Sequence, residues 1–160
     1  MINAHLKYLF FVTKPYSFSI LEPVQNAIQK SNSGTVKWFT ASSASHYLVP
    51  GNQLKSNREV HDYNPDIVLV PGNVVPHYWP GLKVQIFHGL DEEVKGFYTI
   101  TGFFDLYCTT GPVMTETFLK IAKRKKHFLV EETGWPKLDY IFKNKGNFTD
   151  QKNQLIKQYG

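Results

Sequence analysis

The stretch Lys83 to Gly89, KVQIFHG, decides the fold of this chain. Its apolar residues carry the segment into a core, and a histidine and a glycine stand where it emerges. A short apolar run of this kind is typical of a buried parallel strand, and ligands in open α/β sheets collect at the carboxyl ends of such strands. His88 is therefore the first candidate for a functional residue, and Gly89 would let the backbone approach a ligand closely.

Similar segments recur on both sides of this stretch. They predict further strands at Tyr8 to Thr13, Thr35 to Thr40, Asp66 to Val70, Phe103 to Cys108 and His127 to Val130. Apolar residues at helical spacing predict helices from Ser19 to Ser31 and from Pro112 to about Lys125. Residues 49–64 are polar and turn-rich, and we expect irregular structure or a short helix there. The alternation predicts an α/β fold, a Rossmann-like parallel sheet of about six strands with helices on both faces.

Length and composition fit one globular domain. The chain has 160 residues, of which 42% are hydrophobic, and this is enough for a single core. It contains no apolar run long enough to cross a membrane, and no small-residue cleavage site follows the apolar start MINAHLKYLFFV. The expected location is therefore the cytoplasm. The single cysteine, Cys108, excludes an internal disulfide framework.

The last residues differ in composition from the rest of the chain. Lys143 to Asp150, KNKGNFTD, has the composition of a linker, and Asp150 to Tyr159 is a polar, helix-like segment. We therefore expect residues 1–143 to form the Rossmann-like domain, and residues 144–160 to be a linker and the start of a helix that leads into a further C-terminal domain.

The basic residues are concentrated in one place. The net charge is +5, which makes an anionic partner plausible without identifying it. Lys123, Arg124, Lys125 and Lys126 stand together at the end of the helix predicted from Pro112. The ordinary interpretation is a favourable interaction of cations with a helix C-terminus. The sharper interpretation is a contact with anionic lipid headgroups, to which each basic residue contributes about 1 kcal/mol near the membrane surface.

His88 has two interpretations that position alone leaves open. An imidazole at a strand end can act as a general base toward a hydroxyl group, or it can simply form a hydrogen bond at the edge of the core. The other five histidines are scattered, and no two have the i, i+4 spacing of a helical metal pair, so we expect no metal site. The chain has neither a G-x-G-x-x-G segment nor a P-loop, and we expect no cofactor.

Two junctions between a strand and a helix carry polar groups. Thr109, Thr110 and Gly111 precede the helix that begins at Pro112, and hydroxyls and backbone N–H groups in such a turn can hold a phosphate. The second junction, from Thr133 to Asp139, opens a short helix that is expected to continue through Phe142. Ordinary helix capping and a tight packed turn are the alternatives at the two junctions.

The HG pair at 88–89, the segment FDLYCTTGP that opens a helix, and ETGWPKLDYIF after the last strand together resemble a known family. They are similar to the N-terminal domain of the CDP-glycerol glycerophosphotransferases, two-domain GT-B enzymes of wall teichoic acid synthesis. That family contains an HG-T-P-x-K segment and a later G-x-P-x-x-D segment. The resemblance covers Asp66 to Phe142. It departs from the family pattern where Leu90-Asp91 replaces Thr-Pro and where the lysine falls later, at Lys95.

The resemblance implies a role for each matching residue. His88 would be the base on the acceptor hydroxyl, and Gly134, Pro136 and Asp139 would align with the later motif. With Gly89, these three are the implied substrate contacts, and Lys95 and the turn Thr109, Thr110 and Gly111 are expected as anion contacts. The cluster from Lys123 to Lys126 would then hold the enzyme on the inner face of the cell membrane.

The implied function is transfer in cell-envelope polymer synthesis. The chain would be the acceptor-side half of an enzyme that moves a glycerol phosphate-like or sugar group from a nucleotide-activated donor to a hydroxyl acceptor, which is expected to be lipid-linked. The donor would bind mainly to the C-terminal domain, so the chain alone is expected to be inactive, and no nucleic-acid partner is expected. Two alternatives stay open: an enzyme similar to nucleotide-sugar 2-epimerases, which share the GT-B scaffold, and a non-catalytic α/β module that binds an anion.

Overall fold

The computed structural model describes residues 5–47, 49, 51–87, 89, 98–144 and 152–158. Within them the chain forms seven strands: β1 Leu6–Val12, β2 Gly34–Thr40, β3 Gln53–Leu54, β4 Ile67–Val70, β5 Leu82–Ile86, β6 Leu106–Thr109 and β7 Leu129–Glu132. The helices between and after them are α1 Phe18–Lys30, α2 Asn57–Tyr63, α3 Pro112–Lys125 and α4 Lys137–Lys143. Short 3-10 turns stand at Pro15–Ser17 and Ser42–Ala44.

All strand pairs are parallel, and the strands lie in the order β3-β2-β1-β4-β5-β6-β7. The chain steps outward from β1 to β2 and β3, and then returns to the other side of β1 to form β4. This reversal places the carboxyl ends of β1 and β4 side by side at the switch point, where open α/β sheets bind ligands. The predicted α/β, Rossmann-like parallel sheet is therefore confirmed.

The sheet has one strand more than the sequence predicts. The additional strand is β3, which has only two residues and lies in the turn-rich segment between 49 and 64. Its register is given by two pairs with β2, Trp38 with Gln53 and Phe39 with Leu54. A strand this short has no apolar pattern of its own, because its place in the sheet comes from pairing with a neighbour.

Helices cover both faces of the sheet. In β1 the four consecutive residues from Leu9 to Val12 are all buried, as expected for a parallel strand packed on two sides. Phe10 and Val12 pack with Ile20, Leu21 and Ile28 of α1 on one face. Leu9 and Phe11 belong to the other core cluster, which contains Val60 of α2 and Met114 and Phe118 of α3.

The amino edge of the sheet, at which the strands begin, is held by two aspartates. The backbone N–H of Lys7 in β1 donates to Asp66 Oδ2 at 2.8 Å, and the N–H of Lys83 in β5 donates to Asp105 Oδ2 at 2.7 Å. Asp66 precedes β4, which pairs with β1, and Asp105 precedes β6, which pairs with β5. These contacts fix neighbouring strands in register, and the loops at the opposite edge are thereby held in place.

Residues 152–158 are helical and exposed. A linker over 144–160 that leads into a further domain stays a prediction, because residues 145–151 lie outside the described part of the chain. None of the described helices is long and apolar enough to cross a membrane.

Candidate functional site

The carboxyl ends of the strands carry most of the residues predicted from the sequence. Because all strands are parallel, the segments after β1, β2, β4, β5, β6 and β7 emerge at one edge of the sheet. Gly89 follows β5 and is buried, and Gly111 and Gly134 follow β6 and β7. His88 and Lys95 lie outside the described residues, so their roles as base and anion contact stay predictions.

At the end of β6, Thr109 is built into the fold. It is 0% exposed, and its Oγ1 lies 2.6 Å from Thr115 Oγ1. Thr115 in turn donates to Glu132 Oε2 at 2.7 Å. The carbonyl of Thr109 accepts the backbone N–H groups of Thr133 and Gly134, each at 3.1 Å. The polar groups of Thr109 therefore join β6, α3 and the end of β7, and its hydroxyl has no access to a ligand.

The next two residues lie closer to the surface. Thr110 is half-buried, and its Oγ1 points toward Met114 Sδ at 3.6 Å. A Cβ added at Gly111 or at Gly134 would have no heavy atom within 4 Å, so open space adjoins the backbone at both positions. At the junction between β6 and α3, the backbone of Gly111 is therefore the group most accessible to a ligand.

The second junction turns at Gly134, which has a φ of +77°. Lys137 Nζ lies 5.5 Å from the ring centre of Trp135, a cation–π contact that orders the start of α4. Pro136 is half-buried, and Asp139 is an exposed residue of the first turn of α4, where the helix dipole favours a carboxylate. Pro136 and Asp139 are therefore placed at the carboxyl edge with Gly134, with Asp139 open to solvent.

The basic cluster lies at the other edge. Lys123, Arg124 and Lys125 form the last turn of α3, and Lys126 ends the helix in a left-handed conformation with a φ of +60°. All four are exposed. Because α3 runs back from the end of β6 to the start of β7, its C-terminus lies at the amino edge of the sheet, away from the residues of the candidate site.

The structure contains a groove that sequence reasoning missed. It lies between the ends of β1, β2 and β4, has a volume of about 490 Å³, and is called the switch-point groove below. Its lining combines apolar and polar side chains, namely Phe11, Thr13, Lys14, Ala41, Ser42, Val74, Val75, Pro76 and Tyr78. No sequence motif predicts this groove, because its walls come from three segments that are brought together only by the order of the strands.

The polar side of the switch-point groove is formed by two tied loops. The N–H of Ala41 donates to the carbonyl of Val12 at 2.8 Å, and Ser43 Oγ donates to the carbonyl of Thr13 at 3.1 Å. Between these ties Ser42 has a φ of +53°, a left-handed conformation that costs a residue with a side chain about 1–2 kcal/mol. The surrounding contacts hold Ser42 in this conformation at the rim of the groove.

A buried amide links this groove to the KVQIFHG stretch. Gln85 of β5 is 2% exposed, and its Nε2 donates to Asn73 Oδ1 at 2.6 Å. Asn73 belongs to the segment after β4 that supplies Val74, Val75 and Pro76 to the groove wall. A polar side chain is buried at a cost unless it is paired, so this hydrogen bond fixes the groove wall relative to the end of β5.

Two further facts concern a thiol and the possible metal ligands among the described residues. Burial raises the pKa of the Cys108 thiol to about 11, so at neutral pH the group is a protonated thiol and a poor nucleophile. No group of three or more His, Cys, Asp or Glu side chains in the described part of the chain is arranged to hold a metal ion.

Comparison with known proteins identifies the fold. No family model and no curated protein matches the chain. A crystal structure of UDP-GlcNAc 2-epimerase from Neisseria meningitidis bound to UDP-GlcNAc is similar to 96% of this chain, with a TM-score of 0.56 and 16% sequence identity. The chain spans about half of that structure, 54% of its length. At this level of identity the likeness shows a GT-B-like Rossmann fold, and no family match supports the CDP-glycerol glycerophosphotransferases in particular.

Proposed function

We propose that this chain is the N-terminal half of a GT-B-type enzyme that acts on a nucleotide-activated substrate. One observation carries the proposal: the all-parallel sheet in the order β3-β2-β1-β4-β5-β6-β7, with an open groove at its switch point. The structural neighbour supports it, because nearly all of this chain matches about half of an enzyme bound to a nucleotide sugar. The ligand would lie at the carboxyl edge, with much of the nucleotide held by a second domain.

Epimerisation of a nucleotide sugar at carbon 2 is the reaction that the comparison favours. The structural neighbour is an enzyme of that activity. The proton at carbon 2 can leave only as the bond from carbon 1 to the nucleotide breaks, because no carbonyl lies next to that carbon. Return of a proton on the opposite face, with re-addition of the nucleotide at carbon 1, gives the 2-epimer, so more than one titratable side chain must reach the substrate. His88 is the residue of this chain that we propose for one of these roles, because it is predicted to follow β5 at the carboxyl edge.

Group transfer to a hydroxyl acceptor is the second candidate, and the sequence favours it. The HG pair at 88–89 and the match of Gly134, Pro136 and Asp139 to a G-x-P-x-x-D segment are its support. The acceptor oxygen would attack the phosphorus or the anomeric carbon of the donor, the bond to the departing nucleotide would break, and His88 would take the hydroxyl proton. The anionic groups of the donor would be positioned by Gly89, Lys95, Thr110 and Gly111. The enzyme would accelerate transfer by holding the reactants in place and by stabilising the charge that develops on them.

A membrane contact belongs to the transfer candidate. The exposed Lys123, Arg124, Lys125 and Lys126 would attract anionic headgroups. Because they lie at the amino edge, a membrane bound there would face the edge opposite to the candidate site, and a lipid-linked acceptor would have to reach around the domain.

Product analysis on the full-length protein tests the proposal. We expect one of two results: conversion of UDP-GlcNAc to its 2-epimer without an acceptor, or release of CMP from CDP-glycerol only when a hydroxyl acceptor is present. His88→Ala should lower the rate by about 10²–10⁴-fold, the usual contribution of a general base or acid. His46→Ala, which removes an exposed histidine of a surface turn, is the matched control and should keep the rate.

The non-catalytic alternative has its own signature. If neither reaction occurs and a nucleoside diphosphate still binds to this 160-residue chain by calorimetry, the chain is an anion-binding module and the enzymatic proposal is wrong. A near-normal rate in His88→Ala would be compatible with an enzyme but would show that His88 is not its general base or acid.

A further inference from the structure

We propose that the switch-point groove binds the phosphate end of a small phosphorylated polyol or sugar, with Lys14 as the charged contact. As a substrate site this rests on the proposed function. As a binding site it rests on the groove alone, which neither the sequence motifs nor the comparisons assign.

Charge is the first argument. Lys14 is exposed at the end of β1, and within the described part of the chain it lies in no ion pair. None of the residues that line the groove is acidic. An ammonium group without a carboxylate partner, beside a groove with no acidic lining, is available to an anion, and solvent keeps the attraction to the size of one exposed charge. The groove therefore favours a negatively charged ligand.

The hydroxyls are the second argument. The hydroxyls of Thr109 and Thr115 are engaged in hydrogen bonds within the fold. Half-buried Thr13 and exposed Ser42 line the groove beside Lys14, and their hydroxyls form no hydrogen bond to any other described residue. The left-handed conformation of Ser42 is maintained by the ties of its neighbours to β1. One ammonium and two hydroxyl donors around an open volume suit the several acceptor oxygens of a phosphate group.

Size and distance are the third argument. A volume of about 490 Å³ is within the range of small-molecule sites, and Val74, Pro76 and Tyr78 offer apolar surface to the carbon skeleton of a polyol or sugar. The ends of β1 and β5 are separated by β4, a distance of about 10 Å at two strand spacings. A lysine side chain and a small phosphorylated polyol together cover such a distance. A ligand held at Lys14 would thus present its free hydroxyls toward the end of β5.

Titration of the isotopically labelled chain with sn-glycerol 3-phosphate, followed by NMR, tests the inference. We expect saturable shifts of the amide signals of Thr13, Lys14 and Ser42. Lys14→Gln should weaken binding about tenfold, the effect of losing one charge-assisted hydrogen bond, and Lys14→Arg should restore most of it. Ser42→Ala should weaken binding about threefold. Lys30→Gln is the matched control, because it removes the same charge from the exposed end of α1 far from the groove, and it should change binding less than twofold.

Three results would overturn the inference. The first is no saturable shift, and the second is equal weakening by Lys14→Gln and Lys30→Gln, which would indicate net charge alone. The third is inorganic phosphate binding as tightly as sn-glycerol 3-phosphate, which would mean an adventitious ion only. None of these measurements uses a nucleotide donor. If the full-length enzyme epimerises or transfers but the chain fails this titration, only the assignment of the groove is wrong. If the full-length protein is inactive but the groove binds the probe, only the proposed function is wrong.

Discussion

Two lysines, one at each edge of the sheet, use their polar groups in opposite ways. At the amino edge Lys83 is fully engaged: its N–H donates to Asp105, and its Nζ donates to the carbonyls of Trp79 and Gly81, both at 2.6 Å. At the carboxyl edge, Lys14 lies in no ion pair to a described residue. Lys83 helps to hold neighbouring strands together, as the network around Thr109 does at the carboxyl edge, whereas Lys14 leaves its ammonium group exposed, as a contact for a ligand requires.

The glycines of the two edges give the largest test of this difference. Gly81, at the amino edge, has a φ of +83°, and an added Cβ would lie 2.3 Å from the carbonyl oxygen of Pro65. Gly81→Ala combines backbone strain with a clash against fixed backbone, and we expect it to lower the free energy of unfolding by about 3–5 kcal/mol, measured by urea denaturation.

Gly72→Ala is the matched change at the carboxyl edge. The nearest atom to an added Cβ there is Thr13 Oγ1, at 4.0 Å, and φ is not in the left-handed region. We expect a change within about 0.5 kcal/mol. Equal losses for the two variants would mean that both edges are structural, and the contrast would be wrong.

Much of the framework was readable from the sequence because it depends on local patterns. Pro112 and the apolar spacing after it predicted α3, which spans Pro112–Lys125. The run DIVLV predicted β4, found at Ile67–Val70. Boundaries shifted where a charged residue binds the neighbouring strand: Asp105 pairs with Lys83, so β6 begins at Leu106, although the apolar run begins at Phe103.

The switch-point groove was not readable because it depends on the order of the strands. Thr13, Ser42 and Val75 are distant in sequence and meet only because the chain returns past β1 to form β4. The hydroxyls of Thr109 and Ser42 look alike in sequence, and only the structure shows that Thr109 is engaged by its own fold. Predictions for His88 and Lys95 stay as the sequence made them, since both lie outside the described residues.

Alkaline pH is expected to act on the core between the two edges, through β6. Burial raises the pKa of Cys108 from 9.0 to about 11 and that of Tyr107 from 10.0 to about 12. Above pH 9 the unfolded chain loses the thiol proton while the folded chain keeps it, so unfolding releases protons and stability falls as pH rises. Over two pH units the thiol accounts for at most about 2–3 kcal/mol.

Cys108→Ala isolates this contribution. The variant should lose its decline between about pH 9 and pH 10 and keep the decline above pH 10 that Tyr107 and Tyr63 cause, since burial raises the pKa of both phenols. Urea denaturation at a series of pH values measures this. Only the slope is compared, because the smaller side chain also lowers stability at neutral pH. An unchanged slope would show that Cys108 does not set the alkaline limit.

The smallest expected effect separates the two edges most directly, with one substitution at each. Asp105→Asn keeps the shape of the side chain that accepts the Lys83 N–H but removes its charge, and we expect a loss of about 1 kcal/mol in the free energy of unfolding, since charged acceptors bind more strongly than neutral ones. Lys14→Gln removes an exposed cation without an ion pair in the described part of the chain and should change stability by less than about 0.5 kcal/mol.

Binding of sn-glycerol 3-phosphate should show the reverse order, weakened by Lys14→Gln and unaffected by Asp105→Asn. Each variant is then the control for the other, because a substitution that acts through general loss of structure would alter both measurements. If Lys14→Gln lowered the free energy of unfolding as much as Asp105→Asn, Lys14 would be one of the groups that hold the fold. Its exposed charge could then no longer be assigned to ligand binding.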